Sequence, residues 1–123
     1  MDIGKLISII SLKSEAIAED EIKKYQHEFP ENDITADIKN AVNQRAESQM
    51  TMQISKFKFK EDSEIELEDQ FNLWFTDSEE ADLRSACRHC IADEVKKSKS
   101  ADQHLSNLDI YLKKHLGSIH EID

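Results

Sequence analysis

Apolar side chains recur along this chain at helical spacing for most of its length, and the period changes in only one stretch. Ile3, Leu6, Ile7 and Ile10 share one face of a first helix that Asp2 is placed to cap. A break is expected near Ser11–Ser14. Ala18, Ile22, Tyr25 and Phe29 then follow at spacings of four, three and four. Pro30 closes this stretch, because the residue before a proline is pushed out of helical geometry. The spacing therefore predicts helix over 2–29. A second helix is expected over 32–48, starting near Asn32 or Asp33 and carrying Ile34, Ile38, Ala41 and Val42.

The period then shortens. Met50, Met52 and Ile54 alternate, as do Phe57 and Phe59, and Ile65, Leu67, Phe71, Leu73 and Phe75 fall on alternate positions with Asp69 out of pattern. A helical template accommodates Leu67, Phe71, Trp74 and Phe75 but leaves Ile65 and Leu73 on the wrong side. Alternation predicts an antiparallel β-hairpin with strands at 50–59 and 64–76. Pairing Phe59 with Ile65 sets Phe57 opposite Leu67, Lys58 opposite Glu66 and Lys56 opposite Glu68. Apolar pairs on one face and opposite charges on the other favour that register.

Helical spacing returns after Asp77 or Ser78, either of which can cap a helix over 78–98. Leu83, Cys87, Cys90, Ile91 and Val95 form its stripe. Ser100-Ala101-Asp102-Gln103 reads as a capping box that opens another helix over 101–116. Leu105, Leu108, Leu112 and Leu116 would be its core face, Gly117 its C-terminal cap and the rest a short tail. The fold class expected is α+β and mostly helical, about four helices packed with one hairpin, as a single domain over 1–123. Two Gly and one Pro in 123 residues agree with a chain poor in tight turns.

Charge is the strongest departure from an ordinary domain. The formal net charge is −10, from 26 acidic and 16 basic residues. Ten of the acids lie between Glu61 and Asp82, where there is no Lys or Arg. The acids and bases elsewhere cancel, so one 22-residue segment carries the whole imbalance. Like charges so concentrated repel one another, and such a field also steers a basic partner into contact. Glu64, Glu66, Glu68, Asp77, Glu79, Glu80 and Asp82 are the candidate ionic face, with Trp74 as an aromatic anchor. The same charge opposes phosphate, so direct nucleic-acid binding is not expected; Lys56, Lys58 and Lys60 are assigned to the facing glutamates.

Catalytic and cofactor chemistry find little footing. Two glycines cannot build a phosphate loop, and no metal-protease, EF-hand or Glu-x-x-His pattern occurs. Cys87-Arg88-His89-Cys90 has half of a zinc spacing, but Leu108 stands where a second histidine after His104 is needed, and His115 and His120 lie near the chain end. The two thiols are expected to be reduced and buried on the helix stripe. Asp69, amid apolar alternation, is the one carboxyl with a hint of a general-acid setting, and a strand end or bulge explains it more simply. No nucleophile-elbow pattern is present. The expectation is no enzyme, no metal and no cofactor.

The run from Leu6 to Leu12 has the apolar flavour of a secretion signal, but serines interrupt it and Asp2 precedes it, so a cytoplasmic protein without a membrane span is expected. Size and acidic composition resemble those of bacterial immunity proteins, antitoxins and phage anti-defence proteins in general, a likeness of class rather than of motif. The leading expectation is an inhibitor that neutralises a basic protein partner, such as a nuclease toxin or a nucleic-acid-binding protein. The alternative is a helical adaptor, chaperone or small subunit that docks through an apolar helix face.

Overall fold

The computed structural model describes residues 3–59 and 65–122, with the side chains of 102–107, 109 and 115–122 outside the description. Among the described residues there are four helices in the order α1 (Ile3–Glu28), α2 (Ala36–Ile54), α3 (Leu67–Trp74) and α4 (Asp77–Ile122), and no strand. The fold is therefore helical, not α+β, and the hairpin expected over 50–76 does not form in its described part. The loop of that hairpin, 60–64, lies outside the described residues.

α1 runs unbroken through Ser11–Ser14, where Ser14 turns inward and its hydroxyl donates to the Ser11 carbonyl at 3.2 Å. A serine that hydrogen-bonds back to its own preceding turn can sit inside a helix. Pro30 ends the helix where the sequence indicates, at Glu28. α2 starts later than expected, with Thr35 as cap; its hydroxyl oxygen accepts from the Ile38 amide at 3.3 Å. It also ends later, because Ile38, Val42, Ala46, Met50 and Ile54 repeat every four residues and all are buried. The alternation of Met50, Met52 and Ile54 is a by-product of that stripe, and Met52 points to solvent.

α3 adopts the helical template that alternation had disfavoured. Phe71 is wholly buried, while Ile65 and Leu73 stay 47% and 71% exposed. Water tolerates two stranded apolar side chains, and four aromatic groups gain a cluster in return. Phe57 lies over Trp74 with ring centroids 5.9 Å apart, and Phe71 meets Trp74 at 5.6 Å and Phe75 at 5.5 Å. Each such ring pair contributes about 0.5–1.5 kcal/mol beyond area burial. The expected pairing of Phe57 with Leu67 is thus replaced by Phe57 on Trp74.

Polar contacts fix how the long helices align. Asp20 and Glu21 of α1 meet Arg84 of α4, and further along both helices Tyr25 and Phe29 line a cleft with Arg88 and Ile91, so α1 and α4 run parallel. Gln53 near the end of α2 donates to the Glu79 carbonyl at 3.1 Å, and the Cys90 thiol faces the Ala41 carbonyl at 3.8 Å, so α2 runs antiparallel to both. Their shared core holds Ile17, Ala18 and Ile22 of α1, the α2 stripe, and Leu83, Cys87, Ile91 and Val95 of α4. The thiols are free; Cys87 is buried and Cys90 partly so. No helix among the described residues is long and apolar enough to cross a membrane.

Candidate interaction surfaces

α4 has 46 residues, while its last buried residue among those described is Val95. The expected stop at Ser98 and restart at Ala101 do not occur, and helix continues past Gly117 to Ile122. A capping box gains little when the preceding turn is already helical, since elongation adds a hydrogen bond without a new nucleation cost. Ser98 and Lys99 still line a cleft with Glu31, Asp33 and Thr35 of the turn between α1 and α2, and at 1.5 Å per residue the part beyond Lys99 extends about 35 Å. Nothing in the bundle covers the described apolar residues there. Leu108 and Leu112 are 45% and 48% exposed, and Ile110 and Tyr111 more so. Leu108, Tyr111 and Leu112 share one face by their three- and four-residue spacing. The stripe expected to be core is an open surface at its described members; the side chains of Leu105 and Leu116 lie outside the described residues.

The acidic segment occupies the opposite end of the bundle. Glu66, Glu68 and Asp69 surround the start of α3, and Asp77, Glu79, Glu80 and Asp82 the start of α4. Carboxylates in first helical turns are stabilised by the unsatisfied amides there. Glu66, Glu68, Asp77 and Asp82 are exposed, as the ionic-face expectation requires, whereas Glu64 lies outside the described residues. Glu79 and Glu80 are half-buried and already engaged, Glu79 by the Gln53 amide at 3.1 Å and Glu80 by Arg84 at 3.4 Å. Trp74 is half-buried in the aromatic cluster rather than standing outward among the carboxylates. Asp69 is exposed, so no apolar pocket surrounds it.

Sequence patterning missed a charge network between α1 and α4. Glu21 is almost fully buried; its Oε1 accepts from Arg84 at 3.0 Å and from Arg88 at 3.4 Å. Arg84 also reaches Asp20 Oδ2 at 2.6 Å. Burial opposes the charge on Arg84, but hydrogen bonds to Asp20 and Glu21 outweigh it and hold the guanidinium above its ordinary value. Arg84, then Lys24, holds the Asp20 carboxyl below the usual carboxylate range. The signal was present in sequence: Glu21 adjoins Ile22 on the buried side of α1, and Arg84 and Arg88 adjoin Leu83 and Cys87 on α4. Beside this network Tyr25, Phe29 and Ile91 line a cleft of about 370 Å³ with Lys24, Glu28 and Arg88 at its edge.

Burial pushes the Cys87 thiol up to about 11, with the Glu21 charge adding to the effect, and burial likewise raises Cys90. Neither has the depressed value of a nucleophilic thiolate. Among the described residues no three His, Cys, Asp or Glu side chains gather as a metal site requires. Comparisons with protein-family models, with curated proteins and with solved structures return no match for this chain.

Proposed function

We propose that this chain is a binding protein rather than an enzyme, and that it docks a protein partner on the apolar face of the α4 overhang. The observation that carries this reading is the exposure of Leu108, Tyr111 and Leu112 on a helix that has left its own core. An amphipathic helix draws most of its stability from packing its apolar face, and contiguous exposed apolar surface marks interaction sites. The docking mode is a helix presenting anchors at three- and four-residue spacing. The test compares the wild-type chain with Leu108→Asp/Leu112→Asp, both immobilised, for retention of the same partner. Retention by the wild type alone, with unchanged melting curves, supports the reading; equal retention by both sinks it.

A second reading is favoured by the exposed carboxylates of Glu66, Glu68, Asp77 and Asp82 at the other end. There the partner is a basic protein, such as a nuclease, held by charge without an aromatic anchor. Loss of the partner with Glu66→Gln/Glu68→Gln/Asp77→Asn, and retention with the leucine variant, selects that reading instead.

A further inference from the structure

The seam between α1 and α4 holds polar groups that contacts within the chain leave unused. Past the Arg84 network, Tyr25, Phe29 and Ile91 line the cleft of about 370 Å³, at the small end of the ~300–1,000 Å³ range of small-molecule sites. Tyr25 and Phe29 present adjacent rings, centroids 4.9 Å apart, and Phe29 is 37% exposed. Glu21, Lys24, Glu28 and Arg88 border the cleft. Two of them are satisfied: Lys24 pairs with Asp20 at 3.1 Å, and Glu21 is held by Arg84 at 3.0 Å. Arg88 differs. Its side chain is 59% exposed and makes one contact, from Nη1 to Glu21 at 3.4 Å, so Nη2 and Nε have no partner among the described residues. The Glu28 carboxylate is exposed and likewise has no partner among the described residues. The cleft therefore offers aromatic surface with one available cation and one available anion at its edge.

We infer that this cleft is a binding site for a free α-amino acid with an apolar side chain. The open edge of the Arg88 guanidinium takes the carboxylate through two N–H groups, Glu28 accepts from the ammonium, and the side chain lies on Tyr25 and Phe29. The charge arrangement selects the zwitterion. An apolar acid alone brings its carboxylate toward Glu21 and Glu28, and an apolar amine alone brings its ammonium toward Lys24 and Arg88. A ligand carrying both charges beside an apolar group offsets each of them, and an α-amino acid is the smallest ligand that does so. A peptide terminus carries one of the two charges and satisfies half of the edge. The cleft shares no residue with the overhang or the acidic end, so it stands independently of the docking readings.

Titration of the isotopically labelled full chain, followed by its amide resonances, tests this. L-Phenylalanine is expected to shift the amides of Tyr25, Phe29, Arg88 and Ile91 saturably at about millimolar concentration, as suits a small ligand in an open-sided cleft. N-acetylphenylalanine keeps the carboxylate and lacks the ammonium, as a peptide C-terminus does; phenylalaninamide is the reverse. Each is expected to bind about two- to fivefold more weakly than phenylalanine, because both ionic contacts stay within reach of water. Glu28→Gln should erase the advantage of phenylalanine over its acetylated form, and Arg88→Leu its advantage over the amide. Helix ellipticity verifies that both variants fold, and the ligand series on the wild type decides the question without them. Equal binding of all three ligands means an apolar cleft without charge selection and overturns the inference. Tighter binding of the acetylated or amidated form points to a peptide terminus and overturns it too, as does the absence of saturable shifts well above millimolar phenylalanine.

Discussion

Removing the Arg84 side chain is expected to cost far more than its surface position suggests. Arg84→Met keeps most of the aliphatic volume and deletes the guanidinium. Glu21 is then left as a carboxylate whose side chain is 4% exposed, facing only Arg88 at 3.4 Å. Breaking a buried pair by removing one partner typically costs 3–5 kcal/mol. Arg84 keeps some water contact and Arg88 remains, so the expected loss is about 2–4 kcal/mol. Glu21→Gln should cost less, about 1–2 kcal/mol, because the amide still accepts a hydrogen bond and Arg84 retains Asp20 and Glu80.

The informative quantity is the double variant Glu21→Met/Arg84→Met. Replacing both members of a buried pair by apolar groups of similar volume is often neutral. Its loss should therefore fall below the sum of Glu21→Met and Arg84→Met by about 2 kcal/mol, a coupling well above the few tenths expected of independent sites. Urea unfolding followed by helix ellipticity and by Trp74 fluorescence gives each value, and coincidence of the two probes checks two-state behaviour. An Arg84→Met loss below about 0.5 kcal/mol, or strict additivity, would show that the pair is solvent-screened like any surface bridge.

Two further outcomes follow from burial. Leu108→Ala should change stability by less than about 0.5 kcal/mol, as for exposed positions generally, whereas Leu83→Ala, fully buried, should cost about 2–5 kcal/mol; equal losses in dilute urea titrations would return Leu108 to the core. For Cys87, the native thiol binds its proton more tightly than the unfolded one, so stability is intact below pH 9.0 and declines as pH rises toward about 11. A shift of that size corresponds to at most about 3 kcal/mol, and Cys87→Ala should make the decline shallower, Cys90 contributing in the same sense; an alkaline slope unchanged by that substitution refutes the assignment.

The helices of the core were legible in sequence because three- and four-residue spacing and burial there coincide. Ile22 and Tyr25 on α1, Ile38 and Val42 on α2, and Leu83, Cys87 and Ile91 on α4 all turn toward one another. The hairpin was misread because alternate positions and helical positions overlap over short apolar runs. Met50 and Ile54 satisfy both periods, and so do Leu67, Phe71 and Phe75. What separated them was continuity with elements already assigned: the four-residue series from Ile38 carries Met50 and Ile54 into α2 without interruption. Cross-strand charge matching between Lys56 or Lys58 and Glu68 or Glu66 added false support, since a lysine run followed by glutamates yields such pairs in almost any register.

The overhang was misread for a different reason. A leucine stripe states that a helix has an apolar face; it does not state what covers it. Leu83 and Leu108 sit in similar local patterns, yet the first is sealed and the second faces water. The difference comes from the lengths of neighbouring elements. α1 ends at Glu28 and α2 begins after Thr35, so the turn joining them sets how far the bundle reaches, and Val95 is the last buried apolar residue of α4 among the described residues. Counting residues outward from a fixed contact such as Arg84 with Glu21 gives that limit, but the contact itself depends on the pairing of α1 with α4. Apolar face and acidic end thus become interpretable only once the helices are placed, when one lies at each end of the same bundle.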